Sequence, residues 1–447
     1  MRPTARAGLL ALLCACATAP RAPGPAAPAT PSAAPAPAPA APAPVRTEAR
    51  LVLGAVGDVL MHEAVKESAA AHRGAPGITD EGFGWLYQPV ADLLAAPDIT
   101  FANLETPIAP RTGRGSRPFV FNAPPAAVRA LRSAGVDLVS VANNHLFDQG
   151  REGFLETLRE LDAAGMQWVG AGPPPAEGGP RLLSASGITL AFLAYARFFN
   201  DTGNECPRVT TAGPCTRAAL LDPERAVADV RAAAAAADAV VVSLHWGDEY
   251  AAQPRAEDVA LAHRLADAGA LAILGHHPHV LQPVELYRRR DGATALIAYS
   301  LGNFVSNQSR LFVQGVTPDR AGATRDGVLL RIEIARRDYG RGVTRVELGA
   351  VEALALWTEN DTVEIDRTRE PRARPSIRVV SLDRALAEVR AELAALPDPV
   401  PPADRPRYLK LRQREQLYQA RRAAVAAAVG EDLLREAPRA LNPPATR

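Results

Sequence analysis

A chain of 447 residues is long enough for several domains, yet it also suits one large α/β body with an appendage, so length leaves the domain count open. Its 50 Lys+Arg against 49 Asp+Glu give a formal net charge of +1, which supplies no summed field for nucleic acid or an anionic surface and excludes recognition driven by bulk charge. Hydrophobic residues make up 47%, enough for a core, and the 40 prolines are concentrated rather than spread, which confines disordered character to segments.

Met1, Arg2 and Arg6 precede the apolar stretch Gly8 to Leu13, the pattern of an export signal too short to span a bilayer. Leu13-Cys14-Ala15-Cys16 has the form of a bacterial lipobox with Cys16 as the lipidated thiol; plain secretory cleavage is the alternative. Residues 19–45 alternate Pro and Ala with almost no charge, a semi-rigid spacer that favours lipidation because a soluble enzyme has no need of one. Residues 1–16 thus read as an export signal with a lipobox and 17–48 as a tether, placing the protein in the cell envelope on the periplasmic or extracellular face. Cys206 and Cys215 are then the remaining thiols, and they flank a Pro/Gly-containing loop. An oxidising compartment favours a disulfide between them, although spacing also allows two free thiols.

From Ala49 to Glu359, short β-branched and Leu-rich runs alternate with amphipathic stretches, the pattern of an α/β body. Predicted strands are Leu51–Val56, Asp98–Ala102, Asp137–Val141, Val240–Leu244 and Leu271–Leu274, each apolar enough for burial on both faces. Predicted helices are Pro125–Ser133, Glu152–Ala163, Pro223–Ala236 and Glu257–Ala268, with Gly135, Gly165 and Gly269 as C-terminal stops. Gly327–Ala335 and Val343–Ala350 alternate like strands and are expected to complete a second sheet. Residues 360–447 read as a polar, Pro/Arg-rich linker followed by a C-terminal helical tail, Leu382–Leu396 and Tyr408–Val429, whose charges suit a solvated face better than a docking surface.

Six of the eight histidines fall in four places where a strand-like run ends: His62, His145, His245 and the trio His276, His277 and His279. The carboxyl ends of strands in an open α/β sheet converge on one crevice, so such residues can meet in space. Val56-Gly57-Asp58 offers a hard carboxylate after a glycine that would let the chain turn, and His62 follows at the spacing of a helical turn. Glu105 ends an apolar run before Thr106-Pro107, where the plainer reading is a turn cap. Asn143-Asn144-His145 follows a buried run, with Asp148 placed to orient the imidazole. His277-Pro278-His279 holds a pair of imidazoles in fixed relation. A satisfied core histidine would explain one such residue but not four clusters, and carboxylates, an amide and imidazoles together suit divalent Mn, Fe or Zn without selecting among them.

Gly57-Asp58, Asn103-Leu104-Glu105, Asn143-Asn144-His145, His245-Trp246-Gly247, Gly275-His276-His277-Pro278-His279-Val280 and Ser300-Leu301-Gly302-Asn303-Phe304 together resemble, in order and spacing, the CapA-type poly-γ-glutamate capsule-synthesis family over roughly Leu51 to Ala350. That family is similar to calcineurin-like metallophosphoesterases, so the resemblance implies a four-layer αββα sandwich with a pair of divalent cations. By position it implies Asp58, His245 and His279 as ligands, Glu105 as a bridge, and Asn144 and His277 completing the set. His145, oriented by Asp148, would be the general acid, with His62, Asn103, Asn143 and Asn303 supporting the ligands. Two departures stand out: metallophosphoesterases carry Asp-x-His where this chain has Asp58 and His62, and an Asp where it has Glu105. His276 is left outside the ligand set.

The function this implies is an anchored metal-dependent hydrolase of capsule or poly-γ-glutamate synthesis or processing. Its partners would be the polymer, its synthesis machinery and, through the lipid, the membrane, with no nucleic acid. A phosphoesterase for small envelope esters and a non-enzymatic subunit of polymer assembly or export are the alternatives.

Overall fold

The computed structural model describes Gly24 and residues 45–206, 215–364 and 376–438; the export signal, Cys16, nearly all of the tether and most of the linker before Ser376 lie outside the described residues. The fold is α/β, with parallel and antiparallel pairing in both large sheets. The eight-stranded sheet runs Ile377–Ser381, Thr344–Asn360, Asp326–Asp338, Arg46–Val59, Ile99–Leu104, Leu138–Ser140 and Gln167–Val169, with Asn303–Val305 also paired to Arg46–Val59. The six-stranded sheet runs Val284–Arg288, Thr294–Ala298, Ala270–His276, Ala239–His245, Ile188–Ala196 and Arg181–Ala185. No helix among the described residues is long and apolar enough to cross a membrane.

Alternation of side chains along each strand explains how both faces of both sheets are buried. Leu51, Leu53, Ile99 and Phe101 of the first sheet share one apolar cluster with Leu190, Phe192, Val241 and Leu274 of the second. Their neighbours Ala102, Leu104 and Val139 turn the other way, against Val128 and Leu131 of helix Pro125–Ser133 and Phe154 and Leu161 of helix Gly150–Ala163. Val240 and Val242 pack against Val230 of helix Pro223–Ala236 and Leu265 of helix Ala256–Ala268. Helix Pro223–Ala236 starts where Asp222 accepts from Arg225 N and Pro occupies the first turn. Gly135 and Gly165 take positive φ just past their helices, and Gly269 does so as a cap.

Several features differ from the sequence expectation. Asp326–Asp338 and Thr344–Asn360 widen the first sheet instead of completing the second, because Ile334, Ile332 and Leu330 register against Leu51, Leu53 and Ala55. Strand Ile188–Ala196, inside the second sheet, falls outside the predicted set. Beyond residue 359 the chain adds a further strand, Ile377–Ser381, before helices Leu382–Ala394 and Arg405–Val429. Leu411, Tyr418 and Val425 recur every seventh residue on one helix face and are buried in the same cluster as Leu330, so one stripe of this helix packs on the body while Arg407, Lys410 and Arg412 stay exposed. Cys206 and Cys215 are joined as a disulfide, their Cα atoms 5.8 Å apart.

Candidate metal centre

The candidate residues sit at or just past the carboxyl ends of strands from both sheets. Asp58 registers beside Asn103 on one side and Asn303 on the other. His245 and His276 are the last residues of adjacent strands and register with each other. Gly57 serves close approach, not the turn the sequence suggests: a Cβ there would stand 2.0 Å from Gly302 O, and Asp58 N donates to that same oxygen at 2.9 Å. Gly275 is constrained in the same way, with Tyr299 O 1.8 Å from where its Cβ would be. His277 and His279, on either side of Pro278, both take left-handed backbone conformations, φ 98° and 59°, a local strain typical of functional loops.

Glu105 lies at the middle of the cluster. It is fully buried, and its Oε1 has no hydrogen-bond partner, standing 3.6 Å from His245 Nε2 and 3.9 Å from His279 Nε2. Ligand atoms of Asp58, Glu105 and His279 lie within 4.8 Å of one another, as do those of Glu105, His245 and His277. Asn144 Oδ1 is 2.9 Å from His245 Nε2. Donor atoms so spaced can each reach a cation at about 2.0–2.2 Å, and an orphaned buried carboxylate oxygen is the atom such an ion would satisfy. The donor set therefore fits divalent metal, and Glu105 belongs to both groups.

Hydrogen bonds fix how these side chains are presented. Asp58 Oδ1 lies 3.0 Å from His276 Nδ1 and accepts from Asn103 Nδ2 at 2.9 Å, while Oδ2 lies 3.2 Å from His279 Nδ1 and accepts from His277 N at 3.3 Å. Asn303 Oδ1 stands 3.1 Å from the same Nδ1 of His279, so that nitrogen is held and Nε2 faces Glu105. Asn143 Nδ2 donates to Leu104 O at 2.8 Å and to Asn103 Oδ1 at 3.3 Å, which orients the Asn103 amide. His145 Nδ1 is 2.9 Å from Asp148 Oδ2, which also accepts from Phe121 N at 2.6 Å.

Burial raises the Glu105 carboxyl well above the usual carboxylate range, and the Asp58 charge adds to the effect. Burial would raise Asp58 too, but hydrogen bonds from His276 and His279 overcome it and hold that carboxyl well below its ordinary value. Burial also lowers His245 well below the usual imidazole range and His277 to about 4, each helped by a neighbouring imidazole. Neutral imidazoles beside an ionised Asp58 are the protonation states that metal ligation requires.

His62 does not join the cluster as a helical turn from Asp58 would place it. Asp58 and Val59 are still strand, and His62 caps helix Glu63–Ala71 with its ring edge-on to Phe121 at 5.0 Å and its Nδ1 accepting from Asn307 N at 3.3 Å. Burial lowers it to about 4. Three neighbours lie outside the predicted set. His276 is buried against Asp58. Glu249 groups with His277 and His279 from an exposed position. Asn200 Nδ2 lies 3.5 Å from His145 Nε2, and its Oδ1 accepts from Asn144 at 3.4 Å. His276 and Glu249 had a sequence signal, an extra His in the trio and a carboxylate four residues past His245; Asn200 follows the unpredicted strand and had none.

Among known proteins, the chain is 31% identical over 305 residues to the PGA biosynthesis protein CapA of Bacillus subtilis, spanning 66% of this chain and 72% of that one. It is 30% identical over 318 residues to the capsule biosynthesis protein CapA of Bacillus anthracis, spanning 67% of each. A probable polyglutamine synthesis accessory protein of Mycobacterium tuberculosis is 29% identical over 320 residues, 66% of this chain and 77% of that one. Residues 52–308, which carry every strand-end motif of the cluster, match the family described as bacterial capsule synthesis protein PGA_cap, and the chain belongs to that family.

Proposed function

We propose that the chain is a metal-dependent hydrolase of the cell envelope, anchored through Cys16, that acts on a capsule polymer of the poly-γ-glutamate type during its synthesis or processing. The observation that carries this reading is the unpartnered, buried Glu105 Oε1 shared by two groups of ligand atoms, beside the His145–Asp148 pair. Relatives in Bacillus and Mycobacterium named for PGA, capsule or polyglutamine synthesis support the substrate class. Two sheets with helices on their outer faces support a four-layer metallophosphoesterase-like sandwich.

Asp58, Glu105, Asn144, His245, His277 and His279 would hold a pair of divalent cations. Such ions lower the pKa of bound water and offset negative charge as it develops on the reacting group. Asp58 holds the His279 ring through Nδ1, and Asn103 holds Asp58, so the ligand geometry is set before substrate arrives. Asp148 holds Nδ1 of His145, leaving Nε2 to give a proton to the leaving group.

The test is to incubate the Mn-loaded full chain separately with poly-γ-glutamate and with a chromogenic phosphate ester. Shortening of the polymer, reduced about 100-fold or more by His145→Ala without loss of bound metal, is the expected result. Turnover of the ester alone would point to a small-molecule phosphoesterase, and no turnover of either by a metal-replete protein would leave an assembly subunit.

A further inference from the structure

Two loops meet at the outer side of the metal centre. Residues 247–250 follow the strand that ends at His245, and His277-Pro278-His279 follows the strand that ends at His276. Tyr250 N donates to Pro278 O at 2.8 Å, which ties one loop to the other. Tyr250 takes left-handed backbone, φ 64°, as His277 and His279 do, a conformation that persists in such residues only where the surrounding structure enforces it. The result is a placement: the carboxylate of Glu249 stands among the imidazoles, with ligand atoms of Glu249, His277 and His279 all within 4.8 Å of one another.

This outer group is linked to both inner ones. His277 also belongs with Glu105 and His245, and His279 with Asp58 and Glu105. The inner donors Asp58, Glu105, His245, His277 and His279 are at most 4% exposed, whereas Glu249 faces solvent. Glu249 forms no ion pair with Lys or Arg among the described residues, and the buried Nδ1 of His277 has no hydrogen-bond partner, so both can receive a cation. The outer group does not make a further permanent site. Asp58 and Asn303 hold Nδ1 of His279, and its remaining Nε2 serves one cation at a time, so an ion held with Glu249 must give up His279 before the Asp58 and Glu105 position is filled.

We infer that Glu249, His277 and His279 form a transit site for divalent cations, through which ions pass between solvent and the buried positions around Glu105. The inference rests on the metal centre proposed above and adds the entry path that a buried centre needs. A position visited on the way in is also visited on the way out, so its loss slows loading and release alike and leaves the equilibrium affinity unchanged. The test mixes metal-free full chain with cobalt(II), whose visible absorption reports its ligands, follows loading by stopped flow, and then follows release into excess chelator. Glu249→Gln slows both by about tenfold or more with Kd within about twofold of wild type, and the deficit persists in about 1 M salt, where attraction between exposed charges is screened. Asp248→Asn, which removes the neighbouring carboxylate that pairs with Arg255 at 3.5 Å, changes neither rate. Wild-type rates in Glu249→Gln, a deficit abolished by salt or matched by Asp248→Asn, or a weakened Kd with unchanged loading overturns the inference. The two readings fail differently: a wild type that takes up no cobalt sinks the metal centre and the transit site together, whereas equal, ordinary uptake by wild type and Glu249→Gln sinks the transit site alone.

Discussion

Glu105→Gln separates a residue kept for metal from one kept for stability. In metal-free protein the Glu105 carboxyl is held above its ordinary range by burial and by Asp58, so the folded chain retains a proton that the unfolded chain releases near its ordinary value of 4.5. Above that pH the folded state binds more protons, and stability falls as pH rises, by at most about 1.4 kcal/mol per unit for one proton. Between pH 5 and pH 7 the chelator-stripped wild type should therefore lose up to about 2.7 kcal/mol that a non-titrating Gln does not lose. Urea denaturation at the two pH values measures the difference. Added Mn should then reverse the order: the wild type gains about 2.7 kcal/mol at a hundredfold excess over Kd, and the variant, lacking the shared carboxylate, gains far less. Equal pH slopes together with equal metal shifts would refute the reasoning.

Gly275→Ala would force a Cβ to within 1.8 Å of Tyr299 O, and should destabilise by at least about 2 kcal/mol in denaturant; an unchanged midpoint contradicts the close-approach account. Glu156, which would be raised by burial, is instead held down to about 2 by hydrogen bonds from Thr112 and Arg111, so its contribution is present above about 4.5 and is lost as pH falls towards 2. Acid titration should show a shallower loss in Glu156→Gln than in the wild type, and parallel curves would count against it. Replacing Cys206 and Cys215 by Ser opens a short loop and should cost about 2–3 kcal/mol of unfolding free energy under oxidising conditions, with no difference once the wild type is reduced.

Much of this architecture is readable from local pattern. Pro125–Ser133 and Pro223–Ala236 have the predicted bounds because proline fixes the first turn and the apolar spacing fixes the buried face. The strand-end rule anticipated that Asp58, Glu105, Asn144, His245, His277 and His279 would gather, since parallel strands deliver their carboxyl ends to one side. Sheet membership was not readable: alternation in Gly327–Ala335 says that one face is buried but not which strand lies alongside. The function of Gly57 depends on Gly302 reaching it from a distant segment, and the position of His62 depends on the strand continuing through Val59 before the helix begins. Asn200 was hidden for the same reason, because its neighbour His145 lies 55 residues away.

The central claim is that Glu105 is shared between cations, and anomalous diffraction from crystals of the full chain grown with Mn tests it most directly. The account predicts a scattering peak in contact with Glu105 on the side of Asp58 and His279, another on the side of His245 and His277, and neither in Glu105→Ala. Crystals saturated with Mn, Fe or Zn that show no peak within coordinating distance of Glu105 would contradict it.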